Sequence, residues 1–376
     1  MAILPRRSTV EDVATLARSR IADCFRRFDR VVVSFSGGKD STVVLDLAYE
    51  VAASMGRLPL EVVFWDEEAI QPETIEYVRR VSERPGIFLR WFCYPIKHRN
   101  ACSKTSQWWY PWAMEDEAKW CRPLPKGAIT SIARAPSERL PFQDMNAVIF
   151  GDRPVATAVL TGIRAQESLR RLRIVSMKEH DNWLSQDPCA PHVVLAKPVY
   201  DWTTEDVWTA PRLFGWDYNR AYDVMTLAGI PRHAQRVCPP YGEEPLRGLW
   251  QYAQCWPHLW EKMIARVPGA ATAGRYSQSP IYGFGDRRKS PPEGMTWQDA
   301  IKWEISKWPE NQRAIVAARV REELNMHNYR TGGAPLKDYV SGSQELSWSY
   351  LLMIATRGDF KKRRTIMGKV REAADE

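Results

Sequence analysis

The residues with the most chemical potential form one run, Ser34-Phe35-Ser36-Gly37-Gly38-Lys39-Asp40-Ser41. The β-branched Val31-Val32-Val33 precedes it, and Val43, Val44, Leu47 and Ala48 follow at helical spacing. Strand, glycine turn and helix in that order bring backbone N–H groups, a positive helix end and a lysine to one point, which is a place for phosphates. Gly37 and Gly38 let the backbone turn tightly and approach the oxygens. Ser34, Ser36 and Ser41 add hydroxyls, and Lys39 adds a point charge. Asp40 has three readings: it organises the loop, complements the helix N-terminus, or holds magnesium through water. The structural roles rank ahead of direct ligation. The run is not a Walker A loop, which needs glycine where Val33 stands and Ser or Thr where Asp40 stands.

The elements that position this run follow from periodicity. Residues 9–28 read as an amphipathic helix with Ser8 or Thr9 as cap, 31–35 as a strand and 41–55 as a helix. A strand at 60–65, a helix at 72–81 and a strand at 87–92 continue the alternation, which predicts a doubly wound parallel sheet with ligands at the carboxyl ends of its strands. The glycine loop and Asp66 both fall at such ends. From 94 to 150 the pattern breaks into a stretch rich in tryptophan and proline, read as either an insertion or lid or a satellite core. Strand signals resume at 158–163 and 193–196, placing Gly162, Arg164 and Glu167 just past a strand end. Thr203 and Asp206 have capping-box spacing. Trp202 and Trp208 are assigned to the core. After residue 200 the signals are helical, at 219–229, 246–266, 296–307, 311–327 and 347–357. The expected division is 1–245 for the nucleotide-binding domain and 246–376 for a helical C-terminal subdomain.

The 376 residues carry no apolar run near the roughly 18 needed to span a bilayer, and residues 1–7 lack a signal-peptide pattern, so a cytoplasmic protein without membrane contact is expected. Seven cysteines are scattered without a Cys-x-x-Cys pair, which points to reduced thiols and argues against an iron–sulfur cluster. A formal charge of +8 suits an anionic partner, and Arg357, Lys361, Lys362, Arg363 and Arg364 offer phosphate contacts, leaving nucleic acid as an unproven partner.

Ser-Gly-Gly-Lys-Asp-Ser matches the pyrophosphate loop (PP-loop) of the adenine nucleotide alpha hydrolases. With Trp65-Asp66, Pro72-Glu73-Thr74, the 161–168 element and the 198–208 segment, the chain resembles the phosphoadenosine phosphosulfate reductase family. Tyr222-Asp223-Val224-Met225, Arg236-Val237-Cys238, Gly248-Leu249-Trp250 and Ser347-Trp348-Ser349 extend the resemblance toward the immunoglobulin-binding regulator A (IbrA-type) branch. It implies an α/β fold of the HUP-like type. It also implies a site for ATP or phosphoadenosine phosphosulfate, with Mg2+, in which the 36–41 loop takes phosphates, Asp66 lies near adenine and ribose, and Gly162, Arg164 and Glu167 border the nucleotide. Arg164 is read as a phosphate or sulfate ligand oriented by Glu167, and Lys39, Arg164 and Asp40 form the catalytic set. A ParB-like protein partner is implied for the regulator branch.

The late Glu-Cys-Gly-Leu/Ile-His motif of the reductases in this family is missing. Sulfonyl reduction needs an accessible, low-pKa thiol, and Cys238 beside Arg236 is the remaining candidate. The leading expectation is therefore a nucleotidyltransferase or N-type ATP pyrophosphatase that cleaves between the α- and β-phosphates, with sulfate or nucleic acid as candidate acceptor. A sulfonucleotide reductase and a nucleotide-gated regulatory module are the alternatives.

Overall fold

The structure is a computed structural model that describes residues 12–103, 105–133, 135–151, 155–167, 171–172, 175, 182–237, 241–242, 245–276, 290–339 and 346–358. Cys238, the 361–364 basic run and the cap candidates Ser8 and Thr9 lie outside the described residues.

The chain begins with α1 (Val13–Arg27), whose first turn is capped by Asp12 through the amides of Ala14 and Thr15. Then come β1 (Arg30–Phe35), α2 (Lys39–Ser54), β2 (Leu60–Trp65), α3 (Pro72–Ser82) and β3 (Ile87–Phe92). A two-stranded ribbon of β4 (His98–Arg99) and β5 (Trp108–Trp109) and the short helix α4 (Met145–Phe150) lead to β6 (Thr157–Leu160). After β7 (Leu184–Gln186) and β8 (Val193–Ala196) the sheet ends. Its order is β3-β2-β1-β6-β8-β7, parallel throughout except for the edge strand β7. This is the expected doubly wound α/β sheet. The antiparallel β7 is an addition that the weakly patterned residues around 184 did not announce.

Alternation along the strands divides the core. Val31, Val33 and Phe35 of β1 join Leu60, Val62 and Phe64 of β2 in a cluster with α1 and α2. Val32, Val63 and Trp65 point the other way, toward Phe92, Met145, Ile149 and Phe150. Both faces are therefore buried, the condition a parallel sheet requires. Each fully buried side chain of this size contributes about 1.5–3 kcal/mol.

Beyond the sheet, α5 (Thr204–Phe214) starts at the Thr203–Asp206 capping box, and Trp202 is buried as expected. Helices α6 (Ala221–Leu227), α7 (Leu249–Cys255), α8 (Pro257–Arg266) and α9 (Ala270–Tyr276) share a core with Ala69, Cys102, Trp109 and Cys121. The single helix expected at 246–266 is thus two, because Pro257 cannot continue the first and instead opens the second. The compact units divide after Gly283. Residues 246–276 accordingly belong with the first unit rather than with a C-terminal subdomain beginning at 246, since their apolar faces pack on the 94–150 insertion and α6.

The second unit contains α10 (Trp297–Ser306), α11 (Glu310–Thr331) and α12 (Trp348–Arg357), packed around Ile301, Val320, Leu351 and Ile354. Thr296 and Ser347 cap α10 and α12, and the Trp308 indole donates to the Ala355 carbonyl at 2.7 Å. Among the described residues no helix is long and apolar enough to cross a membrane.

Candidate phosphate-binding site

The glycine loop leaves the carboxyl end of β1, and α2 starts at Lys39, two residues earlier than periodicity suggested. Gly37 has φ +71°, a conformation glycine adopts without strain, and a Cβ there would meet Thr74 Cγ2 at 2.8 Å. The serines tie the turn together. Ser41 Oγ accepts from the Ser36 amide at 3.2 Å, lies 3.0 Å from Ser36 Oγ and donates to the Gly38 carbonyl at 2.9 Å.

Two residues from far along the chain hold the loop from outside. Asn219 Nδ2 donates to the Gly37 carbonyl and to Thr74 Oγ1, each at 2.8 Å. Tyr222 Oη accepts from the Lys39 amide at 2.9 Å, and Trp208 stands edge-on to the Tyr222 ring at 5.1 Å. Neither Asn219 nor Tyr222 was singled out for the loop by sequence, although Tyr222 was among the residues carrying the family resemblance.

The other side of the loop is set by β6. Gly162 follows that strand and lies so close to α2 that a Cβ would stand 2.8 Å from the Asp40 carbonyl carbon and the Ser41 nitrogen. The sheet order reverses between β1 and β6, so loop and Gly162 meet at the topological switch point, where doubly wound sheets bind their ligands. Just beyond, Arg164 is 2% exposed and donates from Nε to Asp40 Oδ1. Its Nη1 reaches the Trp202 carbonyl and Thr204 Oγ1 at 3.4 Å, and Glu167 faces Nη2 at 3.7 Å. Lys39 Nζ lies 3.1 Å from Asp40 Oδ2.

Arg164, Asp40, Lys39 and Glu167 are thus brought together, but not as sequence reasoning arranged them. Arg164 was read as a phosphate ligand; its buried guanidinium is instead committed to Asp40, which links β6 to the first turn of α2. Asp40 carries a cation on each carboxylate oxygen, so the loop-organising reading describes it and the water-mediated magnesium reading does not fit. Among the described residues there is no group of three or more His, Cys, Asp or Glu side chains suited to a metal ion.

Asp66 is a correction. Its carboxylate is buried and engaged by the Glu68 amide at 2.9 Å, the Trp91 indole at 2.8 Å and the Arg122 guanidinium, while Trp112 Nε1 donates to its carbonyl at 2.8 Å. It anchors the insertion rather than facing a ribose. Glu68, which sequence reasoning passed over, is the second anchor. It is fully buried and accepts from the amides of Trp112 and Cys121 and from Arg266 Nε at 2.8 Å. Arg266 also donates to Asp116 at 2.9 Å and to the Tyr110 carbonyl at 2.7 Å. Glu68 (φ +63°) and Trp112 (φ +55°) both hold left-handed backbones, and the hydrogen bond between them joins the two strained points. The described part of the 94–150 segment is therefore pinned to the carboxyl edge of the sheet by buried polar contacts.

Fold and loop together define an α/β protein of the PP-loop nucleotide-binding class. Residues 30–225, more than half of the chain, match the phosphoadenosine phosphosulfate reductase domain, and the chain belongs to that family. Residues 229–370 match a domain of unknown function (DUF3440). The uncharacterized protein YbdN of Escherichia coli (strain K12) is 29% identical over 366 residues, which cover 93% of this chain and 89% of that protein. Among solved structures, Candida glabrata FMN adenylyltransferase in complex with FAD and inorganic pyrophosphate is similar over 56% of this chain and 58% of its own, less than two thirds of its length, at 15% identity and a TM-score of 0.37. The phosphoadenylyl-sulfate reductase of Candida auris, as its phosphate complex, is similar over 58% of this chain and 93% of its own, at 14% identity and a TM-score of 0.32.

Proposed function

We propose that the chain binds ATP and cleaves it between the α- and β-phosphates, transferring AMP to an acceptor and releasing pyrophosphate. The observation that carries this reading is the braced, non-Walker loop at the switch point, with Lys39 at the head of α2. A nucleophilic atom of the acceptor attacks the α-phosphorus and bonds to it. The bond from that phosphorus to the bridging oxygen breaks and pyrophosphate leaves with the electron pair; a hydroxyl acceptor passes its proton to solvent, whereas sulfate attacks as the dianion and has none to lose. Lys39 has three N–H donors and spends one direction on Asp40 Oδ2, so it also reaches phosphate oxygens and, with the loop amides, stabilises the departing charge. Arg164 acts through Asp40: by claiming Oδ1 it keeps that carboxylate from neutralising Lys39 fully. The Asp40 carboxylate at the loop is already paired with Lys39 and Arg164 and does not fit a magnesium ion.

Incubation with α-labelled ATP and candidate acceptors, sulfate and single-stranded nucleic acid among them, tests the reading. Labelled AMP–acceptor and pyrophosphate are expected from the wild type, with at least an about 100-fold loss in Lys39→Ala. Absence of both products with every acceptor refutes it.

Family membership supports a second reading, sulfonucleotide reduction, which requires a reactive thiol. The described cysteines do not favour it. Cys24, Cys93, Cys102 and Cys121 are buried, burial pushes the Cys102 thiol up to about 12, and the exposed Cys189 is raised to about 11 by its hydrogen bond to Asp144. Sulfite release from phosphoadenosine phosphosulfate that disappears in Cys238→Ser would support this reading; release that persists removes that mechanism. The regulator-branch reading with a ParB-like partner accompanies these as a proposal.

A further inference from the structure

A cavity of about 300 Å³ opens outside the carboxyl end of β3, lined by Tyr94, Trp112, Trp120, Thr130, Glu115 and Arg139 among others. Because β3 is two strands from β1, it lies roughly 10 Å along the sheet from the strand that carries the phosphate loop. Its walls are built. Trp112 and Trp120 meet edge to face at 5.2 Å, and Trp112 is fixed through its amide to Glu68 and through its indole to the Asp66 carbonyl. The lining residues Thr130, Ser131, Ile132, Ala135 and Arg139 belong to a segment between Ile129, which exchanges hydrogen bonds with Trp91 and Cys93 at 2.7 and 3.0 Å, and Leu140, whose carbonyl accepts from Lys97 at 2.9 Å. Both ends of that segment are therefore anchored on the extension of β3.

The volume stands at the lower end of the range for small-molecule sites, enough for one planar ring system. Aromatic walls favour a π-face. Within the lining, Arg139 Nη2 donates to Glu115 Oε2 at 2.8 Å, which sets a donor and an acceptor side by side, and Thr130 adds a hydroxyl. A net anion meets Glu115 and a net cation meets Arg139, so a neutral ring with both donors and acceptors on its edge fits best. Burial pushes the neighbouring Cys93 thiol up.

We propose that this cavity binds a nucleobase belonging to the acceptor. The acceptor role rests on the adenylyl-transfer reading above; the binding itself does not. The test is calorimetric titration of the full chain, saturated with α,β-methylene-ATP, with cytidine, uridine and guanosine in one arm and a short single-stranded oligonucleotide in the other. Binding in the first arm alone identifies a free nucleoside, and markedly tighter binding in the second identifies nucleic acid; either supports the site. Ala135→Trp, which fills the cavity, weakens nucleobase binding by at least about tenfold and leaves α,β-methylene-ATP affinity unchanged. Should that variant not fold, Thr130→Val in the lining gives a smaller loss of the same kind. No nucleobase binding at millimolar concentration, binding indifferent to both variants, or displacement by α,β-methylene-ATP overturns the proposal. Nucleobase binding that persists when no AMP transfer is found leaves the site standing and refutes only its acceptor role.

Discussion

Replacing Arg164 by Met distinguishes a phosphate ligand from a positioning residue. The side chain is 2% exposed and that of its partner Asp40 is 17% exposed, so the substitution leaves Asp40 with Lys39 alone and Glu167 with Arg171. Removing one member of a buried ion pair costs about 3–5 kcal/mol. Lys39 still compensates Asp40, which moves the expected cost to about 2–3 kcal/mol, or about 4–10 °C in thermal midpoint for a unit of this size. ATP affinity falls less than about tenfold, because Lys39 is drawn toward Asp40 but no phosphate contact is deleted. A ligand in a charge-assisted hydrogen bond would instead cost about 1.5–3 kcal/mol of binding. The assay is a double-mutant cycle of Arg164→Met and Asp40→Asn, reading urea unfolding and ATP calorimetry. In the double variant neither charge is stranded, so a coupling energy of about 1–3 kcal/mol is expected. Single costs that add to within about 0.5 kcal/mol, or an ATP loss beyond about tenfold in Arg164→Met without loss of stability, would refute the positioning argument.

Glu68→Gln removes one of the two carboxylates that compensate Arg266, leaving Asp116, and is expected to destabilise the first unit by about 2–3 kcal/mol, with hydrogen exchange accelerating at 109–122 before it does in β1; unchanged protection there would sink the anchoring role. Asp46 supplies a pH dependence. Burial pushes its carboxyl up to about 6, against the opposing pull of the Arg84 guanidinium, whereas the unfolded value is 3.8. The folded state therefore holds a proton that the unfolded state releases, so this contribution is complete below about pH 4 and is lost as pH rises to about 6, a fall of about 3 kcal/mol. Urea midpoints across that interval should decline in the wild type and stay flatter in Asp46→Asn; parallel slopes contradict the assignment.

What the sequence by itself determined is what lies within one strand, turn or helix. The β-branched run Val31–Val33, the paired glycines and the apolar spacing of Val43, Val44 and Leu47 specify strand, loop and helix, because each rests on contacts a few residues apart. Thr203 and Asp206 are legible as a cap for the same reason. The parallel order of the first three strands follows from the alternation of strand and helix. The partners of the candidate site do not. Arg164 reaches Asp40 across 124 residues, Tyr222 meets the Lys39 amide across 183, and Glu68 receives Arg266 across 198. Nothing in local spacing encodes such pairs. Asp66 illustrates the consequence: an acid at a parallel strand end is rightly placed near the ligand edge of the sheet, yet which of its neighbours claims the carboxylate depends on where the insertion folds back. Only the tertiary structure decided that Trp91, Trp112 and Arg122 take it, and that the arginine expected to hold phosphate holds the loop's own aspartate, because a buried charge is assigned by the groups packed around it.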